Sequence, residues 1–301
     1  MNNKDYIYNN TDEEYARIKE FLTRVQVIPG YDNNWDVGRM NWWRYNVHSQ
    51  KEVDFFRENA HYWADEHGEV TGLFISEYGR DDFFAMAAPE YPGLLEEIIL
   101  WGEHNWAKER KKILTSIFTD DVKKAETLEK LGYGDARHES NMRYYDLTDY
   151  DFTYELKPGF SIMSFNEFGD YEQRIHTVKS AFNVPEYPKE RLMSLQSSPQ
   201  YIPKLDLLVA APDGRCAAYC MGWIEEHDAS RGYIEPMGTH SDFRRMGFAS
   251  ALAKECFKRL HALGVATAAI ASDAEPNISN FLYESLKPSY VKRAYEFKKE
   301  L

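Results

Sequence analysis

Two arginines and a glycine in one short stretch could bind an anion. Residues 244–249 read Arg-Arg-Met-Gly-Phe-Ala. Gly247 allows the main chain to approach a ligand closely, and Ala249 has almost no side chain to block that approach. The guanidinium groups of Arg244 and Arg245 would add positive charge beside the turn. The residue types and their spacing therefore predict an anion site that is built mainly from main-chain amides.

This turn lies between a predicted strand and a predicted helix. Tyr233 to Gly238 is strand-like, and Gly264 stands where a helix C-terminus is favoured. Between them, apolar residues recur at three- and four-residue spacing and form one helical stripe: Ala249, Leu252, Cys256, Leu260 and Leu263. In this order of elements, the free amides at the start of the helix and the positive end of its dipole would face an anion bound at the turn.

Three motifs resemble the GNAT acyltransferase superfamily. Arg244-x-x-Gly247-x-Ala249 is similar to its pyrophosphate-binding signature, Glu235-Pro-Met-Gly238-Thr-His to its fourth strand, and Asn280-x-x-Tyr283-Glu-x-Leu286 to a later helix. The resemblance covers about residues 154–301. It implies an α/β fold in which a mixed, mostly antiparallel sheet is flanked by helices, and it implies acetyl-coenzyme A as the acyl donor.

The resemblance also implies a role for individual residues. Pyrophosphate would be held by main-chain amides, with added charge from the arginines, in the stretch Arg244, Arg245, Met246, Gly247, Phe248 and Ala249. The amide-rich pantetheine arm would pair with the strand edge at Met237, Gly238 and Thr239. Asn280 would hydrogen-bond the coenzyme, and Tyr283 would act as the general acid that protonates the departing thiolate.

Direct transfer to an amine also requires a base. Glu235 is our choice, because it lies on the predicted central strand and shares a face with Tyr233. Tyr233 occupies a position where several members of the superfamily have a base, and it is not a carboxylate, so a water relay or Glu225 stays open. The predicted function is transfer of an acetyl group from acetyl-coenzyme A to a primary amine of a small molecule. Aminoglycoside, polyamine, amino acid and protein lysine all remain possible acceptors.

The order of elements in the second half of the chain also occurs in the first half. Pro89-Glu90-Tyr91 corresponds to Ser241-Asp242-Phe243, but the first half lacks the arginines and has Leu128 where the second has Tyr283. We therefore predict two GNAT-like domains in tandem: residues 1–150 as a degenerate copy and residues 154–301 as the catalytic domain that binds acetyl-coenzyme A. The copy would either be structural or wall part of the acceptor pocket.

Composition limits the class of partner. The formal net charge of −13 argues against binding to nucleic acid, which requires a basic surface. Three cysteines without metal-ligand spacing predict neither a disulfide framework nor a metal site. Neither a signal peptide nor a long apolar run is evident, so we expect a cytoplasmic protein with no membrane segment. Monomer and homodimer both remain open.

Two rival functions come from other classes. A non-catalytic acyl-coenzyme A sensor or scaffold would keep the donor site, but it would have no need of a proton donor such as Tyr283. A thiolase-like covalent enzyme is disfavoured, because none of the cysteines lies in an electropositive turn.

Overall fold

The computed structural model describes residues 3–28, 34–47 and 52–301. The sequence also predicts that the first helix ends at Pro29–Gly30, and these two residues lie outside the described ranges. The chain forms two compact units, one made of Met1–Ser140 with Lys292–Leu301 and the other of Asn141–Val291. No helix among the described residues is both long and apolar enough to cross a membrane.

The first half of the chain alternates between helices and strands. Its elements are, in chain order, β1 (Lys4–Ile7), α1 (Asp12–Gln26), α2 (Val37–Trp42), α3 (Val53–Asn59), β2 (Ala60–Ala64), β3 (Val70–Ile75), β4 (Asp82–Ala87), α4 (Leu94–Trp101), β5 (Lys112–Phe118), α5 (Val122–Lys130) and β6 (Gly134–Asp146). Short π-helical turns follow α2 and α4 at Trp43–Val47 and Gly102–Trp106.

The second half repeats this alternation. Its elements are β7 (Ser161–Ser164), α6 (Phe165–Phe168), α7 (Tyr171–Phe182), α8 (Lys189–Gln196), β8 (Asp206–Ala210), β9 (Cys216–Ile224), β10 (Arg231–Thr239), α9 (Phe248–Ala262), β11 (Thr267–Asp273), α10 (Ser279–Ser285) and β12 (Tyr290–Glu300). Short 3-10 turns lie at Pro203–Leu205 and Ser241–Phe243.

Each unit has a mixed sheet with one parallel pair in its middle. Strand order is β1-β2-β3-β4-β5-β12 in the first unit and β6-β11-β10-β9-β8-β7 in the second. The pairs β4–β5 and β10–β11 are parallel, and the other pairs with a determined register are antiparallel. The predicted architecture, two α/β domains with mixed and mostly antiparallel sheets, is confirmed.

The last strand of each half belongs in part to the unit that the other half forms. Residues from Lys292 onwards belong to the first unit, where β12 pairs with β5, whereas Asn141 to Asp146 of β6 belong to the second unit. The units therefore differ from the predicted ranges 1–150 and 154–301 at both of these segments.

Helices cover both faces of each sheet. In the first unit, Tyr62 and Phe84 pack with the buried face of α1, while Trp63 and Phe83 pack with α4. In the second unit, alternate strand residues face either α9 or α7. Leu207, Val209, Cys220 and Ile234 pack with α9 (the α9 face), and Leu208 and Tyr219 pack with Val178 of α7 (the α7 face). Cys216, Cys220 and Cys256 are all buried and unbridged.

Residues 148–158, which precede β7, are fastened to α9. Tyr154 Oη donates to Glu255 Oε2 at 3.0 Å, and Lys254 Nζ donates to the Thr153 carbonyl at 2.9 Å. The ring of Tyr150 packs edge-on against Phe257 at 5.2 Å. The segment is therefore part of the second unit and holds α9 along its length.

Candidate active site

Strand β10 leaves its parallel neighbour halfway along its length. It pairs with β11 from Arg231 to Tyr233, and the described pairing ends there, although β10 continues to Thr239. On the other side its register with β9 shifts, because Ile234 is opposite Gly222 and Met237 is opposite Cys220. Pro236, which has no N–H, lies within this bulge. The edge of β10 at Met237, Gly238 and Thr239 is thus turned towards a gap between two strands.

The predicted anion turn closes on a left-handed glycine at the start of α9. Gly247 is the N-cap of α9 with φ of +83°, and Arg245 two residues earlier has φ of +61°. A Cβ at Gly247 would meet no described atom within 4 Å, so the space above the turn is open. Gly247 has no side chain to accept from the first amides of the helix, and these amides with the helix dipole favour an anion.

The two arginines of the turn have different surroundings. Arg244 Nη2 donates to the carbonyls of Ser180 at 3.4 Å and Ala181 at 3.1 Å, both in the last turn of α7. Arg244 therefore joins the turn to α7, where its charge also complements the helix C-terminus. Arg245 is exposed beside Gly247. Of the remaining turn residues, Phe248 is buried against Phe160 at 4.6 Å, and Met246 and Ala249 are half-buried.

His240 belongs to the turn rather than to a reaction centre. Its Nδ1 accepts a hydrogen bond from the Asp242 amide at 3.2 Å, which caps the 3-10 turn. Its ring stacks on His176 at 4.9 Å, and burial lowers the pKa of His240. Asp242 is in turn paired with Arg215 at 3.0 Å. These contacts fix the path of the chain from β10 to Gly247.

Tyr283 and Glu235, the two predicted catalytic residues, are electrostatic neighbours. Burial and, as a smaller cause, the negative charge of Glu235 raise the pKa of Tyr283 to about 12, while a hydrogen bond with Ser279 acts in the opposite direction. Tyr283 is 8% exposed, whereas Glu235 is exposed at the bulge of β10. Tyr283 is therefore within electrostatic range of Glu235, which lies just after the point where the described β10–β11 pairing ends.

Main-chain contacts hold both groups in position. Tyr145 Oη donates to the carbonyl of Tyr283 at 2.9 Å, and Trp223 Nε1 donates to the carbonyl of Glu235 at 2.5 Å. The sequence patterns did not indicate Tyr145, because its contact links residues that are 138 positions apart, or Trp223, because its contact depends on the register of β9 with β10.

Asn280 is buried and uses its amide inside the protein. Its Oδ1 accepts from Ser272 Oγ at 2.6 Å, and its Nδ2 donates to Glu275 Oε1 and to the Asp273 carbonyl, both at 3.2 Å. The coenzyme contact expected of Asn280 stays a prediction. In this structure its amide joins α10 to the end of β11.

An arginine that the sequence did not indicate extends this network. Arg143 Nη1 donates to Ser272 Oγ at 2.7 Å and its Nε to Glu284 Oε1 at 2.7 Å. Arg143, Ser272 and Asn280 thus fix the helix that carries Tyr283. The partners of Arg143 are more than 125 residues away along the chain, so no local pattern could reveal them.

Glu225, the alternative base, lies at the far end of β10. It pairs with His227 at 3.0 Å and with Arg231 at 3.3 Å. Arg231 is the first residue of β10 and Glu235 the fifth, a rise of about 13 Å along a strand. The geometry favours Glu235 over Glu225 as the group beside Tyr283.

Comparison with known proteins gives a family match within the second unit and a fold for the chain. Residues 173–286 match the acetyltransferase (GNAT) family. A GCN5-related N-acetyltransferase from Sphaerobacter thermophilus is 20% identical with a TM-score of 0.64, covering 99% of this chain and 95% of that chain. A tandem GNAT protein from the clavulanic acid biosynthesis pathway is 11% identical with a TM-score of 0.67, covering 99% and 98%. No curated protein matches the chain.

At these identities the solved structures show the fold alone, whereas the family match adds sequence evidence over the segment that holds the anion turn, Glu235 and Tyr283. Residues 173–286 thus match the acetyltransferase (GNAT) family, and the chain as a whole has the fold seen in a tandem GNAT protein.

Proposed function

We propose that the chain transfers an acetyl group from acetyl-coenzyme A to a primary amine of a small molecule, and that residues 154–301 carry the reaction. The observation that carries this proposal is the combination of three features in one unit. These are an uncovered glycine turn at the start of α9, a strand edge that opens after Tyr233, and a buried tyrosine beside the carboxylate of Glu235.

The residues of the second unit fit this donor. The amides that follow Gly247 are suited to a pyrophosphate, since the space above Gly247 is open and no acidic residue lies in the first turn of α9. The edge at Met237, Gly238 and Thr239 is suited to the pantetheine amides. Bound there, acetyl-coenzyme A would supply the thioester that is attacked.

The first unit keeps the shape of this turn but not its charge. Gly93 caps α4 with φ of +88° and is equally open, yet Glu96 and Glu97 occupy the first turn of that helix. Two carboxylates at a helix N-terminus satisfy its dipole and repel a second anion. In addition, the main chain of β5 is already hydrogen-bonded just beyond its pairing with β4. Asn34 Nδ2 donates to the Ser116 carbonyl at 2.6 Å, one residue after the last β4–β5 pair. These features support a single donor site, in the second unit.

Glu235 and Tyr283 would divide the proton transfers between them. Glu235 takes the proton from the attacking amine, and Tyr283 gives a proton to the sulfur as the carbon–sulfur bond breaks. The ionised Glu235 raises the pKa of Tyr283. Neutralisation of Glu235 removes this effect, so proton uptake at Glu235 makes Tyr283 a stronger acid when the thiolate forms.

The direct test is to incubate the protein with acetyl-coenzyme A and a pool of cell metabolites and to analyse the products by mass spectrometry. The proposal predicts acetylated amines that wild-type protein forms and that Tyr283→Phe forms much more slowly. If acetyl-coenzyme A binds and no amine is acetylated, the sensor function replaces this proposal.

A further inference from the structure

A buried ion pair lies on the α7 face of the second unit with hydrogen-bonding positions left open. Arg174 of α7 and Asp206 of β8 are each 1% exposed. Arg174 Nη2 and Asp206 Oδ1 are 3.6 Å apart, which is too long for a hydrogen bond. Arg174 Nε, Arg174 Nη1 and Asp206 Oδ1 have no hydrogen-bond partner among the described residues. Buried charged groups with unmade hydrogen bonds are costly unless something else satisfies them.

Both charged groups are otherwise held firmly. The guanidinium of Arg174 lies 3.2 Å from the centre of the Tyr219 ring. Asp206 Oδ2 accepts from Gln196 Nε2 and from Tyr201 Oη, both at 3.1 Å. The contacts thus occupy one carboxylate oxygen and one face of the guanidinium. Asp206 Oδ1 and the N–H groups at Arg174 Nε and Nη1 are left without a described hydrogen-bond partner, and Oδ1 lies 3.6 Å from Nη2 of the same guanidinium.

The ion pair is level with the proposed reaction centre across the neighbouring strands of the sheet. Asp206 is opposite Met221 of β9, and Met221 lies between the residues that flank the bulge at Glu235 and Pro236. Two strand spacings separate Asp206 from the bulge, about 10 Å. Trp223, on the α7 face two residues after Met221, stacks with Tyr233 and binds the Glu235 carbonyl. One face of the sheet therefore leads from the ion pair to the base.

The segment between α7, which carries Arg174, and α8 is poorly covered. Residues 182–186 between α7 and α8 are exposed, including the large apolar side chains of Phe182 and Val184. Tyr187, which follows them, is half-buried, and its pKa is raised by burial and affected by both Arg174 and Asp206. Displacement of this short segment would open the pair to a small molecule.

We infer that Arg174 and Asp206 bind the α-amino-acid head group of the acceptor. The free N–H groups of Arg174 would bind the α-carboxylate, and Asp206 Oδ1 would accept from the α-ammonium. A second amine on the acceptor's side chain would reach Glu235, so the substrate class is basic amino acids such as L-lysine and L-ornithine. The inference rests on the proposed function, because it names the acceptor of that same reaction.

The reaction on such an acceptor is balanced without any further reagent. The side-chain nitrogen attacks the thioester carbonyl, a carbon–nitrogen bond forms, and the carbon–sulfur bond breaks. Glu235 takes the proton that the nitrogen loses, and the sulfur takes the proton of Tyr283. The products are the side-chain N-acetyl amino acid and free coenzyme A, and the α-amino group stays unmodified.

A series of amines tests the inference with the wild-type protein. L-lysine is compared with cadaverine, which lacks the carboxylate, and with Nα-acetyl-L-lysine, which lacks the ammonium charge. Release of the coenzyme A thiol gives kcat/KM, and mass spectrometry locates the acetyl group. We expect each missing charge to lower kcat/KM by about 10- to 100-fold, the worth of a charge-assisted hydrogen bond.

Equal values for L-lysine and cadaverine would overturn the head-group site and leave the proposed acetyltransferase intact. If bound acetyl-coenzyme A is transferred to none of these amines but to a different amine of the metabolite pool, the head-group site again fails alone. Transfer to no amine at all contradicts both.

Variants provide a second arm. Arg174→Gln should raise KM for L-lysine and leave KM for cadaverine unchanged, a difference that a purely structural role would not produce. Arg137→Gln, a change at an exposed arginine of the first unit, is the matched control and should alter neither. If Arg174→Gln does not fold, crystals of wild-type protein with L-lysine decide the matter. Amino-acid density at Arg174 supports the site, and ordered water alone overturns it.

Discussion

Arg143 Nε lies 2.7 Å from Glu284 Oε1, and the same guanidinium donates to Ser272 Oγ at 2.7 Å. One buried side chain thus joins β6 to both α10 and β11. Glu284 directly follows Tyr283, so the position of the proposed acid depends on a residue that is far away in the chain.

Arg143→Lys should weaken the attachment of α10, because the ammonium group of lysine cannot reproduce the planar guanidinium geometry that donates to both Ser272 and Glu284. We expect the free energy of unfolding to fall by about 1 kcal/mol, the net contribution of a typical hydrogen bond, because Glu284 is exposed and Ser272 is half-buried. The value of kcat should fall with it, whereas the Kd of acetyl-coenzyme A should change little. Chemical denaturation and steady-state kinetics measure these effects. Glu284→Gln keeps an acceptor oxygen for Nε and is the control; a Lys variant as stable and active as wild type would refute this role of Arg143.

Tyr283→Phe should separate chemistry from binding. The change keeps the ring and removes only the hydroxyl group. We expect kcat to fall by roughly 10²–10⁴, the usual contribution of a positioned acid, while the Kd of acetyl-coenzyme A stays nearly constant. The measurement is kcat under conditions where chemistry limits the rate. A packing role would instead lower thermal stability and leave the activity per folded molecule unchanged.

The proximity of Glu235 and Tyr283 can be tested without any substrate. Burial and the charge of Glu235 raise the pKa of Tyr283 to about 12, so its phenol should stay protonated throughout the range up to pH 10. Glu235→Gln removes the negative charge, and we expect the pKa of Tyr283 to decrease. Tyrosine carbon-13 NMR titration measures it, with the Tyr283 signal assigned from Tyr283→Phe. An unchanged pKa in Glu235→Gln would show that the two groups do not interact.

Gly238 is required by the close approach of α7 to β10. A Cβ at this position would come within 2.8 Å of Ala181 Cβ and 3.0 Å of the Tyr219 ring. Gly238→Ala should therefore destabilise the protein by about 1–3 kcal/mol. Gly134→Ala is the matched control, since a Cβ there meets no described atom within 4 Å. Equal unfolding midpoints for the two variants would contradict this packing.

Local sequence patterns predicted the features that depend on residues close together in the chain. The capping box of Thr11 and Glu14 begins α1 at Asp12, and the stripe with Leu252, Cys256 and Leu260 is buried along α9. The anion turn was also predictable, because only a few residue types suit a left-handed N-cap. By contrast, the contacts of Arg143, Tyr145 and Arg174 depend on how distant segments meet. Likewise, no periodicity indicates that the segment from Lys292 onwards belongs to the first unit.

The central claim is that one unit binds the acyl donor, through the turn at Gly247. Calorimetric titration of acetyl-coenzyme A into wild-type protein, Gly247→Asp and Gly93→Asp tests it most directly. Both glycines are left-handed N-caps with open space above them, so the two substitutions impose a similar backbone strain. We predict one site per chain, an affinity lowered more than about tenfold in Gly247→Asp, and wild-type affinity in Gly93→Asp. Two equivalent sites, or undiminished affinity in Gly247→Asp, would contradict the account.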